Sequence, residues 1–246
     1  MALFHYTSID ALISILSSDR NHPDMINLRA YSYIGTNDQD DCQYLIDQLM
    51  ALKRTESGDS FNVNEYREQI IQQGFFHLGI PHYVSFTQQE NSAYMWHFYS
   101  RGNEGAAIEL ISNPIFTFDD PLHRTFPPRL LPCYYWDRDE ITSRYFERYC
   151  RTENLNETNL VYDACMVKNP SFIAEQEYRA ICFAERSIMK NDSISNRTYV
   201  NFYTCANNVL KIHLSPFNKS NTEHIALLQD RFPFVQVVED NMTDAE

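Results

Sequence analysis

The sequence predicts a mixed α+β domain, and three observations carry that prediction. Short apolar segments with strand character recur from the first residues to the last. Amphipathic helical patterns of varied length interrupt them, and neither an internal repeat nor a coiled-coil heptad orders the series. A doubly wound parallel sheet would alternate strand and helix evenly, which this chain does not do. Its 246 residues suffice for one sizeable core, so a single domain over residues 1–238 is expected, followed by a frayed acidic tail at 239–246.

Taken in order, residues 2–6 read as a short strand, and Ser8 is placed to cap a helix over 9–18. There Ile9, Leu12, Ile13, Ile15 and Leu16 fall mostly on one face. Residues 25–33 look like a strand, broken by Gly35-Thr36-Asn37-Asp38 before a helix over 41–52. Polar residues 53–62 read as a loop, 64–73 as a helix, and 82–86 as a buried strand. The aromatic-dense stretch 92–99 is predicted helical. Two strands, 105–110 and 130–135, flank a loop containing Pro121, Pro127 and Pro128. Residues 139–167 look helical, 178–183 and 209–214 are strands, 224–230 is a short helix and 234–238 a last strand.

Composition limits the function. With 43% hydrophobic and 14% aromatic residues but only 6 glycines, the chain has the make-up of a folded globular protein. A net charge of -13 repels polyphosphates on average, so nucleic acid would need a local basic patch or a partner to bring it in. Cys42, Cys133, Cys150, Cys165, Cys182 and Cys205 form neither a C-x-x-C pair nor a Cys/His cluster, which argues against a structural zinc. No signal-like start and no 18-residue apolar run are present, so a reducing cytoplasm is expected and a membrane is not.

Two polar clusters far apart in sequence could carry chemistry. His5 lies at a strand end beside Tyr6, Thr7 and Ser8, where a ring nitrogen can bond a ligand hydroxyl; its bland alternative is a structural histidine. Glu175 and Glu177 precede the apolar run Ala180-Ile181-Cys182-Phe183 and, two apart, would share a face of an extended segment. Paired carboxylates can divide into a charged stabiliser and a weaker acid. The bland alternative is a solvated edge with Arg179 as a cross-strand ion-pair partner. A metal-dependent nuclease also uses Glu-x-Glu, but the lysine such sites need is not evident nearby. Among Tyr94, Trp96, Phe98 and Tyr99, most rings should pack in the core while one could line a pocket and stack on a flat ligand.

Phe4-His5-Tyr6-Thr7-Ser8, then Asn37-Asp38, Val84-Ser85-Phe86, Met95-Trp96-x-x-Tyr99 and Glu175-x-Glu177-Tyr178-Arg179 resemble, in that order, a large bacterial family of uncharacterised function. The resemblance extends to the late segment 209–216. That family in turn resembles the ADP-ribosyltransferase superfamily, particularly its nucleic-acid-modifying toxins. The resemblance implies a split mixed β-sheet around a cleft that takes NAD as substrate without a metal. It implies His5 on the adenosine-side ribose, Ser85 with Trp96 or Tyr99 on the nicotinamide side, and Glu177 as catalytic carboxylate, with Glu175 as its substitute. Tyr6, Thr7, Arg179 and a loop at Asn37 and Asp38 would add ligand contacts. The chain departs from the best-known classes, having neither a His-Gly-Ser nor an Arg-plus-Ser-Thr-Ser set. The implied acceptor is a macromolecule, RNA, DNA or protein, in a toxin or phage-defence effector that an antitoxin or chaperone could hold silent. A nucleotide- or phage-protein-binding module and an NAD glycohydrolase are the alternatives.

Overall fold

The computed structural model describes residues 1–17, 22–33, 42–57, 79–118, 128–145, 157–193 and 197–240, with single positions between 62 and 72. The expected α+β class is what the chain adopts. Strand β1 (Leu3–Thr7) leads into helix α1 (Ile9–Leu16), whose first turn is closed by the Ser8 hydroxyl accepting from the Ala11 N–H. Then follow β2 (Met25–Ser32), α2 (Tyr44–Ser57), β3 (Ile80–Thr87), α3 (Ala93–Tyr99), β4 (Ala106–Leu110) and β5 (Thr117–Phe118). The second half holds β6 (Arg129–Pro132), β7 (Tyr134–Tyr135), α4 (Arg138–Tyr145), α5 (Glu157–Ala164), β8 (Val167–Lys168) and β9 (Glu177–Ala184). It closes with β10 (Lys190–Asp192), β11 (Arg197–Cys205), β12 (Val209–Leu214), α6 (Asn221–Arg231) and β13 (Gln236–Glu239).

Eleven of these strands form one sheet, antiparallel except where β12 meets β13. Its decisive feature is a fork at β3. Along one edge β3 pairs with β9 over its whole length, from Ile80 opposite Ala184 to Thr87 opposite Glu177. Along the other, β2 pairs only at Tyr83 and His82, and β1 only at Thr87. Two arms therefore diverge from residues 84–86: β2 continues into β11 and β10, and β1 into β4, β12 and β13.

Alternation along β3 and β9 divides the core. Val84, Phe86, Ala180 and Cys182 face the layer holding α1 and α6, while Tyr83, Ile181 and Phe183 face α2, α4 and α5. Each fully buried Leu or Ile in these layers contributes roughly 1.5–3 kcal/mol. Gly105 allows the close approach of β4 to the end of β1, because a Cβ there would stand 2.1 Å from the Thr7 carbonyl oxygen.

Several expectations need correction. Helix α2 runs to Ser57, through the first half of the predicted loop, since Lys53 and Arg54 are good helix formers and Arg54 sits at the favourable C-terminal end. Residues 130–135 are two strands, because the chain exchanges β9 for β8 as partner at Cys133. Val167, at the end of the predicted helical stretch, belongs with Lys168 to a strand, and β11, nine residues long, was not expected at all. The predicted tail begins two residues too early: Glu239 completes β13, and Asp240 bonds His213. Asn37 and Asp38 lie outside the described residues.

Candidate functional site

The fork in the sheet opens onto a cavity of about 830 Å³, a size usual for small-molecule sites. Residues 4–8 of β1 and the start of α1, residues 83–86 of β3, and the side chains of Lys168, Glu175 and Glu177 line it. The two clusters separated by 170 residues of sequence thus face one space, and Ser85 joins them. Its carbonyl oxygen accepts from His5 Nδ1 at 2.9 Å, and its hydroxyl donates to Glu177 Oε1 at 2.5 Å.

The His5 bond fixes the ring's chemistry. A carbonyl can only accept, so Nδ1 carries the proton and Nε2 is an acceptor. Burial holds the pKa below the usual histidine value, which keeps the ring neutral at pH 7.

Glu177 enters β9 just after Gln176, a left-handed residue at φ 42° that ends a 3-10 turn over Pro170–Glu175. The two glutamates therefore do not share a face of one extended segment, as the sequence suggested. The left-handed step brings them together instead, with the Thr87 hydroxyl donating to the Glu175 carbonyl at 2.5 Å and the Glu177 N–H donating to the Tyr135 hydroxyl at 2.7 Å. Between the carboxylates sits Lys168, its Nζ 2.6 Å from Glu175 Oε2 and 2.7 Å from Glu177 Oε2. The sequence-based argument that no lysine accompanies the pair is thus overturned. The ammonium occupies the bridging position a cation would take between the two carboxylates.

Arg179, one of the expected ligand contacts, is fully buried behind Glu177 and does not line the cavity. Its Nε and Nη2 grip Oε1 and Oε2 of Glu177 at 2.9 and 3.2 Å, while its Nη1 donates to the Cys165 carbonyl at 2.6 Å. The guanidinium carbon lies 4.3 Å from the Tyr83 ring centre. Two residues apart on one strand, Glu177 and Arg179 share a face, so the pairing is within β9 and not across strands. Burial pushes the Glu177 carboxyl up, but the charges of Arg179 and Lys168 outweigh it and hold the pKa at about 2.

The carboxylates differ in what they have left to offer. Glu177 accepts four hydrogen bonds, from Ser85, Lys168 and both Arg179 nitrogens, which fills its acceptor positions. Glu175 accepts two, from Lys168 and, at 2.5 Å, from the Tyr99 hydroxyl. Burial and the nearby Glu175 charge push the Tyr99 pKa upward, so this phenol remains a donor.

The aromatic helix divides as its spacing requires. Met95 and Tyr99, four apart, face the cavity. Trp96 faces away: it is fully buried, packs edge-on against Tyr6 at 4.7 Å and donates to the Asn91 side chain, so it is core and not cavity wall. Tyr6 and Thr7 do line the cavity, with the Tyr6 hydroxyl donating to the Gln89 carbonyl.

One wall was missed entirely. Asn27, Arg29 and Tyr31 on β2, and Arg197, Tyr199 and Asn201 on β11, also line the cavity. Both are i, i+2, i+4 series, a period-2 signal of polar residues that could have been read once β11 was recognised as a strand. No family model matches this chain, and no curated protein and no solved structure matches it.

Proposed function

We propose that the protein is an NAD-consuming mono-ADP-ribosyltransferase whose cleft is the cavity at the fork of the sheet. The supporting observation is that His5 and Glu177 face one cavity and are joined through Ser85. In this reading NAD lies across the fork, with its adenosine-side ribose on His5 and its nicotinamide ribose at Glu177. The glycosidic bond from C1′ of that ribose to the nicotinamide nitrogen breaks, and its electron pair leaves with the nicotinamide. The oxocarbenium centre left at C1′ faces a carboxylate that Arg179 keeps ionised and rigid, and a ribose hydroxyl replaces the Ser85 hydroxyl on Oε1. A nucleophile on the macromolecular acceptor then bonds to C1′ and gives up its proton. Tyr99 and Met95 border the nicotinamide side. An effector of this kind acts in the cytoplasm and is kept silent by a partner until needed.

The test is transfer of label from NAD to RNA, DNA or lysate protein, with Glu177→Gln beside the wild type. Removing an electrostatic stabiliser of this kind costs about 10²–10³ in rate, or roughly 2.7–4 kcal/mol. Equal labelling by both proteins would sink the proposal.

A second reading is favoured by one observation, the saturation of Glu177. A carboxylate already bound to four donors suits a rigid nucleotide-binding module that does not turn its ligand over. Saturable binding without nicotinamide release selects that module, whereas release without macromolecular labelling selects a glycohydrolase.

A further inference from the structure

We propose that Arg29 and Arg197 form an anion subsite in the same cavity and take the diphosphate of a nucleotide ligand. This deepens the transferase reading by naming what part of the ligand the missed wall holds, but it does not depend on chemistry at Glu177.

The first argument is charge. The chain carries -13, yet the cavity is bordered by four cations, Arg29, Arg101, Arg197 and Lys168, against two anions, Glu175 and Glu177. Lys168 is already neutralised by those glutamates at the floor and Arg101 pairs with Asp10, so the surplus lies with Arg29 and Arg197 on β2 and β11. A positively charged recess in an acidic protein attracts an anion and does not concentrate neutral competitors.

The second argument is geometry. Tyr31 lies directly opposite Tyr199 across β2 and β11, with ring centres 5.9 Å apart. Arg29 and Arg197 stand at opposite ends of this pair, and each reaches diagonally over the ring on the other strand: Arg29 to Tyr199 at 5.0 Å, Arg197 to Tyr31 at 4.4 Å. The two guanidiniums therefore flank the tyrosine pair, each over one ring, and both line the cavity. Stacking on a ring leaves the N–H edges of a guanidinium available, which is the orientation that binds phosphate oxygens in pairs.

The third argument is partner accounting. Asp192, opposite Arg197 on the same face of the sheet, accepts from the Tyr31 hydroxyl at 3.0 Å and lies 3.9 Å from Arg29, partly offsetting that charge. Arg197 forms no ion pair among the described residues, and its buried Nε has no hydrogen-bond partner. A buried donor on a fixed cation is costly to leave unpaired, and a phosphate oxygen would satisfy it. Two guanidiniums along one wall suit two linked phosphates better than one.

Calorimetric titration of the full chain with ADP, adenosine and inorganic pyrophosphate tests the subsite. Wild type should bind ADP and pyrophosphate, adenosine at least tenfold more weakly than ADP, and the ADP affinity should fall with added salt. Arg197→Gln should lose 10–100-fold in ADP affinity with an unchanged melting temperature, and Arg29→Gln somewhat less. Failure of wild type to bind ADP or pyrophosphate at millimolar concentration, or equal ADP affinity in wild type and both variants, overturns the proposal. Glu177→Gln separates the two readings, since it should keep ADP affinity. Arginine-dependent ADP binding without any label transfer leaves the subsite standing and removes the transferase. Label transfer by wild type with ADP affinity indifferent to both arginines does the reverse.

Discussion

Two buried ionic clusters, one at the stem of the fork and one on its β1 arm, solve the same problem with different chemistry. At the cavity floor, Lys168 and Arg179 hold Glu175 and Glu177. On the β1 arm, His213 of β12 lies between Glu109 of β4, 2.8 Å from its Nε2, and Asp240 just past β13, 2.7 Å from its Nδ1. Both place two carboxylates on cationic donors away from water. The first uses cations that stay charged at any physiological pH; the second uses one that does not. The floor cluster is thus a permanent scaffold and the His213 cluster a titratable clasp over three neighbouring strands, and each should control a different limb of the stability curve.

The largest effect is expected from Lys168→Met. Removing one partner of a buried ion pair typically costs about 3–5 kcal/mol because the remaining charge is left uncompensated. Here two carboxylates lose their shared ammonium, while Arg179 still holds Glu177. Urea unfolding at pH 7 should show a loss in that range, shrinking in acid as a carboxyl takes up a proton instead. A loss below about 1 kcal/mol would mean that the floor is not held by charge.

Next comes the acid limb. The folded pKa of Glu177, about 2, lies below its ordinary value of 4.5. Its contribution is therefore present above 4.5 and lost as the pH falls toward 2, worth on the order of 3 kcal/mol. His82, held at about 4 by burial, and His5, also lowered, add to acid loss from 6.5 downward. The diagnostic is accordingly the difference between wild type and Glu177→Gln: it should collapse below pH 4.5. A constant difference from pH 7 to pH 3 would remove Glu177 from the acid limb.

The clasp should act in the opposite direction. Burial disfavours the charged His213 ring, but hydrogen bonds to Asp240 and Glu109 outweigh this and raise its pKa above 6.5. A raised histidine gives stability that is complete below 6.5 and is lost as the pH climbs through the folded value. Lys211, 3.8 Å from Glu109, keeps part of that carboxylate's pairing throughout. Unfolding at pH 6 and pH 9 should therefore show wild type losing about 1–2 kcal/mol, after allowance for screening, while His213→Gln changes little between the two. Parallel curves for both proteins would make the clasp a pH-independent contact.

The same contrast explains what the sequence made legible. His5 and the two glutamates could be singled out because each touches a recognisable strand: β1 ends with a capping Ser8, and β9 opens an apolar run. Their meeting was an expectation from the strand context of each cluster and from the resemblance, since no local pattern reports that Ser85 bonds both. Lys168 was invisible for a different reason. A lysine beside Val167 and Asn169 reads as surface, and only the left-handed turn at Gln176 brings the carboxylates back onto it. The arginine wall was hidden by β11, where Tyr, Val, Phe and Thr carry strand propensity that the preceding polar run obscured. His213 stood in a correctly read strand, but its partners come from β4 and from beyond β13, and cross-strand neighbours are set by register, which sequence alone does not supply.

The smallest effect is expected from Arg101→Gln, which supplies the baseline for the comparison. Arg101 reaches Asp10 at 3.4 Å, within ion-pair range as the buried contacts are, but its side chain is 74% exposed and that of Asp10 86%. Proximity makes it an ion pair; exposure removes its worth. Water solvates both charges before and after the mutation, so unfolding free energy should stay within about 0.5 kcal/mol of wild type at every pH from 4 to 9. A shift comparable to that of His213→Gln would show that proximity, and not burial, sets the worth of ion pairs in this protein, and would dissolve the distinction between scaffold and clasp.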